Sequence, residues 1–169
     1  LVFGKTTAAN RSLAAQFEAR SVGKRYELLV RGDDRRSPSL HCDDPITGAN
    51  GAQPASTDFA VVASGPRLQR LVARPHSGRT HQVRIHAAAL GMPVVGDADH
   101  GGEDAVRLFL HAAELRLDHP VDGPLTLTAD RPGSFDALLA DERGVGTSFA
   151  LAAAAAGEAR EVLFDPSDT

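Results

Sequence analysis

The chain has 169 residues, with 18 Lys plus Arg against 22 Asp plus Glu, 42% hydrophobic and 24% charged side chains. These proportions exclude a disordered chain and suit one globular domain with a tail, while a formal charge of −4, taken whole, weighs against a nucleic-acid partner. The single cysteine, Cys42, excludes a disulfide framework and a multi-thiolate metal site. The apolar run at 150–156 is too short for a bilayer span, which needs about 20 residues. With no basic stretch followed by an apolar run at its start, the chain is expected to be soluble and cytoplasmic. The only methionine is Met92 and the first residue is Leu1, so the sequence reads as a piece of a longer protein.

In chain order, residues 1–3 are expected to end a buried strand. Thr6 or Thr7 caps a helix reaching Arg20, because Ala9, Leu13 and Phe17 recur at four-residue spacing. Residues 25–31 (RYELLVR) are rich in aromatic and branched side chains and form a strand ending at Gly32. Residues 32–56, with Pro38, Pro45, Gly48, Gly51 and Pro54, read as an extended loop with one short strand near Leu40. Residues 57–63 (TDFAVVA) are a strand, Gly65-Pro66 turns the chain, and residues 67–74 (RLQRLVAR) return as its antiparallel partner. Thr80 is expected to cap a helix over 81–90, closed by Gly91 in the left-handed position that follows a helix.

Short strands are then expected near 107–110, 114–118 and 125–129. Ser134 would cap a short helix holding Phe135, Leu138 and Leu139, and the Ala-rich segment after Phe149 reads as one more helix. Strands outnumber helices and are joined by short turns. The expected class is α+β, a mixed, mainly antiparallel sheet flanked by helices, spanning residues 1–140 with a tail or linker over 141–169.

Seven histidines raise a metal hypothesis that their spacing does not support. His81 and His86 stand five apart, about 140° round a helix, and so do not share a face. No Gly-x-Ser-x-Gly elbow marks a serine hydrolase. Asp97, after Gly96, reads as a turn-capping aspartate.

Residues 77–84 (SGRTHQVR) are denser in chemistry. Arg79 sits at a helix start, where an arginine gains nothing from the helix dipole, so a negative partner is implied for it and for Arg84. From 67 to 92 there are five arginines and no acidic residue. The alternatives are a site for phosphate or carboxylate, or a solvated basic face. Lys24-Arg25-Tyr26 sets the only tyrosine beside two cations, which suits stacking on a base while the cations meet phosphate; a core tyrosine is the plainer alternative.

In this order, K-T-x-x-A at Lys5, Gln16-Phe17, Lys24-Arg25-Tyr26, Thr57-Asp58-Phe59 and the run GRTHQVRIH from Gly78 to His86 resemble the RluA-type family of RNA pseudouridine synthases. Leu90-Gly91-Met92-Pro93, Gly96-Asp97, Arg107-Leu108-Phe109-Leu110-His111-Ala112 and His119-Pro120 extend the resemblance, which covers about residues 1–139. It implies a pseudouridine-synthase-like catalytic domain that isomerises selected uridines of ribosomal or transfer RNA, with no metal or organic cofactor, acting as a monomer.

The resemblance also implies a nucleophilic aspartate in an H-R-L-D-x-x-T-S-G motif. No such motif occurs in the 169 residues, so it is expected ahead of Leu1, and the chain as given is expected to be inactive alone. The family's active-site arginine maps to Arg84, which would pair with that aspartate, and its base-stacking tyrosine maps to Tyr26. Leu110 maps to an apolar contact beneath the base. Lys24, Arg79, His81 and Gln82 map to phosphate or scaffold contacts. His100 stands where the family usually has tyrosine. The alternatives are an inactive RNA-binding domain of the same fold and, less favoured, a phosphate-recognising hydrolase.

The net charge conceals a division. Residues 1–36 carry eight basic and four acidic side chains and residues 67–92 five and none, whereas residues 93–169 carry five and fifteen. The motifs lie almost wholly in the positive portions, which are therefore expected to meet RNA.

Overall fold

A computed structural model describes residues 2–32, 37–49 and 51–141. Helix α1 spans Thr7–Glu18, and the Thr6 hydroxyl accepts the Ala9 N–H at 3.1 Å, satisfying one of the amides that a helix start leaves unpaired. No residue of α1 is buried. The helix is tied to the sheet by Gln16, whose amide donates to the Asp118 carbonyl at 2.7 Å and accepts the Asp118 N–H at 2.8 Å. The strand expected over 1–3 is not seen in its described residues: Val2 and Phe3 pair with nothing, and Phe3 is 81% exposed.

The strands follow as β1 (Gly23–Arg31), β2 (Ser39–Cys42), β3 (Ile46–Gly48), β4 (Gly51–Gln53), β5 (Thr57–Ser64) and β6 (Leu68–Pro75). Then come α2 (Gln82–Ala89), one 3-10 turn (Ala98–His100), β7 (Leu110–His119), β8 (Gly123–Thr128) and α3 (Ser134–Leu139). Six strands form one sheet in the order β2-β5-β6-β1-β7-β8, each pair antiparallel, and β3 and β4 make a separate hairpin. The α+β class is as expected. No helix among the described residues is long and apolar enough to cross a membrane.

The region expected to be mainly loop holds three short strands. Pro38, Pro45 and Pro54 do break the chain, but they punctuate it, with β2 between the first two and the β3–β4 hairpin between the last two. The strands expected near 107–110 and 114–118 resolve into the single β7. Its partner β1 pairs Arg25 with Glu114 and Tyr26 with Ala112, so Ala113 is a bulge that breaks the alternation by which strands are recognised. The expected caps at Thr80 and Ser134 are replaced: His81 precedes α2 in a left-handed conformation with φ 54°, and Gly133 precedes α3. Gly91 does close α2 at φ 71°. The Ala-rich helix lies outside the described residues, as does most of the tail.

Strand β1 is central and covered on both faces, so Leu28, Leu29 and Val30 are all fully buried. Its even-numbered side chains face α2. Leu28 and Val30 join Phe59, Leu71, Ala73, Val83, Ala87, Met92 and Val94 in one core cluster. Leu29 points the other way, to Phe109, Phe135 and Leu138 beneath α3. Each fully buried Leu or Phe contributes about 1.5–3 kcal/mol. The sheet thus has an α2 face and an α3 face, and β1 presents Lys24 and Tyr26 on the first.

Candidate active site

Tyr26 lies half-buried on β1 and packs against the core cluster under α2. Burial pushes its hydroxyl pKa up, so it is neutral at pH 7. Leu110 opens β7, opposite Leu28, while Tyr26 lies opposite Ala112. Paired positions share a face, so Leu110 and Tyr26 stand on the same side of the sheet, and both contact the same cluster. The sheet supplies an aromatic ring and an apolar floor side by side.

Helix α2 lies over this face because Val83 and Ala87 are buried against the cluster. It carries Arg84, whose side chain is 12% exposed. Arg84 Nε donates to Asp97 Oδ2 at 2.8 Å, and Nη2 donates to Asp97 Oδ1 at 2.5 Å and to Asp99 Oδ2 at 2.8 Å. Asp97 is fully buried at its side chain. The Arg84 hydrogen bond holds the Asp97 carboxyl below the usual carboxylate range, and Asp97 in turn raises the Arg84 pKa further. Nη1 makes no hydrogen bond among the described residues, which leaves one edge of a fixed cation unoccupied.

Asp97 is itself set by the backbone around it. Its side chain accepts the His100 N–H at 3.2 Å, so the expected turn-capping role is observed alongside the ion pair. Gly96 adopts φ 81°, and a Cβ there would collide with the Arg107 carbonyl, so only glycine suits that corner.

Gln82 is 3% exposed, and both ends of its amide are engaged. Its oxygen accepts from the Ser77 hydroxyl at 2.6 Å and the Arg79 N–H at 3.1 Å. Its nitrogen donates to Ser56 O at 2.9 Å and Thr57 Oγ1 at 3.0 Å. Next to it, buried His86 contacts Thr57 Oγ1 at 2.9 Å through Nδ1 and the Asp44 carbonyl at 3.0 Å through Nε2. A carbonyl only accepts, so Nε2 carries the hydrogen; the Thr57 hydroxyl then accepts from Gln82 and donates to Nδ1. This network fastens the start of α2 to β5 and shapes the 77–81 loop. Gln82, read from sequence as a phosphate or scaffold contact, sits on the scaffold side.

The remaining sequence-derived residues ring this core. Arg79 donates from Nε to the Pro54 carbonyl at 3.2 Å. His81 is exposed, its left-handed backbone is strained for a non-glycine residue, and its ring meets His100 edge-on at 5.8 Å between centroids. Lys24 points to the loop, with Nζ 3.4 Å from the Ser77 carbonyl and 5.8 Å from the centre of the Phe17 ring. Sequence reasoning singled out Arg84 but not its clamp, since Asp99 carried no signal and Asp97 was legible only as a turn residue. Among the described residues no group of three or more His, Cys, Asp or Glu is placed to hold a metal.

A family model described as RNA pseudouridylate synthase matches residues 1–89. The chain is 35% identical over 147 residues to ribosomal large subunit pseudouridine synthase C of Vibrio vulnificus, covering 76% of this chain and 47% of that protein. It is 34% identical over 151 residues to dual-specificity RNA pseudouridine synthase RluA of Escherichia coli, covering 80% of this chain and 68% of that one. The solved structure of human RNA pseudouridylate synthase domain containing 1 superposes with a TM-score of 0.68 at 28% identity, over 79% of this chain and 65% of the human chain. The chain belongs to the RluA-type family of RNA pseudouridine synthases. It spans between about half and two thirds of the length of these relatives.

Proposed function

We propose that the full-length protein converts particular uridines of ribosomal or transfer RNA to pseudouridine, working as a cytoplasmic monomer without metal or organic cofactor. The observation that carries this reading is the fixed guanidinium of Arg84, clamped on one edge by Asp97 and open on the other, on the helix whose Val83 and Ala87 pack in the same cluster as Tyr26 and Leu110. An aspartate supplied from outside the 169 residues would pair with the open edge, which would keep it ionised and aimed as a nucleophile. The target uridine leaves its stack to reach the pocket, its ring lying on Tyr26 above Leu110. The aspartate attacks C1′ as the N-glycosidic bond breaks, the freed uracil turns, and its C5 attacks C1′ and releases the carboxylate; C5 then loses its proton and N1 takes one up. On this reading the Tyr26 hydroxyl, kept neutral by burial, would take up the ring proton while passing its own to solvent before release.

The test is incubation of the full-length protein with ribosomal and transfer RNA lacking the modification, followed by nucleoside mass spectrometry. New pseudouridine at defined positions is expected, and none with either RNA sinks the reading. Tyr26→Phe is expected to keep RNA affinity, because the ring still stacks, while turnover falls about 10²-fold or more. The coding sequence ahead of Leu1 gives a second check. H-R-L-D there supports the enzyme, whereas another residue at the aspartate position leaves an RNA-binding protein of the same fold.

A further inference from the structure

We propose that the cavity between the end of α1 and the 76–78 loop seats a backbone phosphate of the RNA, next to the uridine presented to Tyr26. The proposal rests on the synthase reading for the identity of the neighbouring uridine, and on the cavity's own chemistry for the phosphate. The cavity measures about 160 Å3 and is lined by Phe17, Arg20, Lys24, His76, Ser77 and Gly78 among others. Sites for whole small molecules run to roughly 300–1,000 Å3, so this one suits a single group such as a phosphodiester.

Its charge is uncompensated. Lys24 is partly buried, and burial lowers its pKa, yet its one hydrogen bond among the described residues is the long contact to the Ser77 carbonyl. Neither Lys24 nor Arg20 forms an ion pair among the described residues. Two cations at one cavity, one of them partly desolvated and neither with a counter-charge, make it attractive to a phosphate. The lining residue His76 meets the carboxylate of Asp58 through Nε2 at 2.6 Å, and His41 Nδ1 meets its other oxygen at 2.7 Å, so both oxygens of that carboxylate are engaged by histidines.

Gly78 keeps the ammonium accessible. A Cβ there would stand 3.1 Å from Lys24 Nζ, so any side chain would lie over the charge. Placement completes the case. Lys24 and Tyr26 are two residues apart on one face of β1, about 7 Å at the rise of a strand, so a base on Tyr26 and a phosphate at Lys24 fit one extended nucleotide strand.

The experiment uses the full-length protein and a fluorescent oligouridylate, with affinity measured across a salt series. Arg20→Asn removes a charge from an exposed turn whose φ of 57° asparagine tolerates. Lys24→Gln removes the second charge, and unchanged melting temperatures certify both folds. Each substitution is expected to weaken binding about 3- to 10-fold near 0.1 M salt, irrespective of base sequence, and to flatten the log–log salt dependence by about 0.7.

Unchanged affinity and slope in the double variant would overturn the phosphate seat, even if the wild type forms pseudouridine. A flattened slope with no pseudouridine formed by the wild type would support the seat while sinking the synthase reading. Inorganic phosphate tests the source. Saturating the cavity with it at constant ionic strength should displace the oligouridylate, and undisturbed RNA binding would overturn the assignment to RNA.

Discussion

Arg84 and Asp97 meet edge to edge across two hydrogen bonds, although 13 residues separate them and they lie on a helix and a loop. The pair joins two elements that hydrophobic packing brings near but does not orient. Asp97→Asn would leave Arg84 charged and largely buried, with only exposed Asp99 to answer it. Removing one member of such a pair costs about 3 kcal/mol. The pH dependence has a definite sign. The Asp97 carboxyl titrates below its unfolded value of about 3.9, so its stabilisation is complete above that pH and is lost as pH falls through the lower folded value. Urea midpoints taken from pH 6 to pH 2 should fall more steeply for the wild type than for Asp97→Asn.

Asp99 touches the same guanidinium but is 73% exposed at its side chain. Water and salt screen such a contact, and Asp99→Ala is expected to change stability by less than about 1 kcal/mol. Urea unfolding beside Asp97→Asn separates the two carboxylates. A loss equal to that of Asp97→Asn would contradict the division of roles.

Arg84→Lys keeps the charge and loses the planar fork. In the full-length protein it should bind RNA nearly as the wild type does, while pseudouridine formation falls about 10²-fold or more. Single-turnover assays with saturating enzyme measure the loss directly. Near-normal turnover would remove Arg84 from the role of aiming a carboxylate.

Gln82→Ala would strip partners from the Ser77 and Thr57 hydroxyls, the Arg79 N–H and the Ser56 carbonyl at once. Buried groups left unpaired cost about 1–3 kcal/mol each where water cannot enter, so a loss of at least about 2 kcal/mol is expected in chemical denaturation. Gln82→Glu restores the acceptor and not the donor. It should recover part of that loss if the network acts as described.

The central strands were legible because burial on both faces writes itself into composition. The run YELLV in β1 and the strands on either side of Gly65-Pro66 needed no tertiary knowledge. The β2 to β4 region was not legible, because strands of three or four residues are defined by their partners, and proline and glycine signals dominate the local pattern. The charge division pointed to the positive portions of the chain but could not say which way each side chain turns. Arg25 and Arg70, both in those portions, bind Glu27 and Asp136 at 2.9 and 3.1 Å on the α3 side of the sheet. Among the described residues Lys24 and Arg20 have no carboxylate partner. For the cations on strands, pleating, not residue count, separates the one free for a ligand from those already matched.

The bare attachment of α1 has a kinetic meaning. A helix with no buried residue, whose hydrogen bonds to the sheet among the described residues run through one glutamine amide on Asp118, gains little from the core, and 12 residues alone are marginal as a helix in water. Its amides should exchange with solvent through openings far cheaper than global unfolding, while those of β1 wait for the whole sheet to melt. Phe17 and Arg20, at the end of this loosely held segment, would then be the parts of the protein that a bound strand stills most.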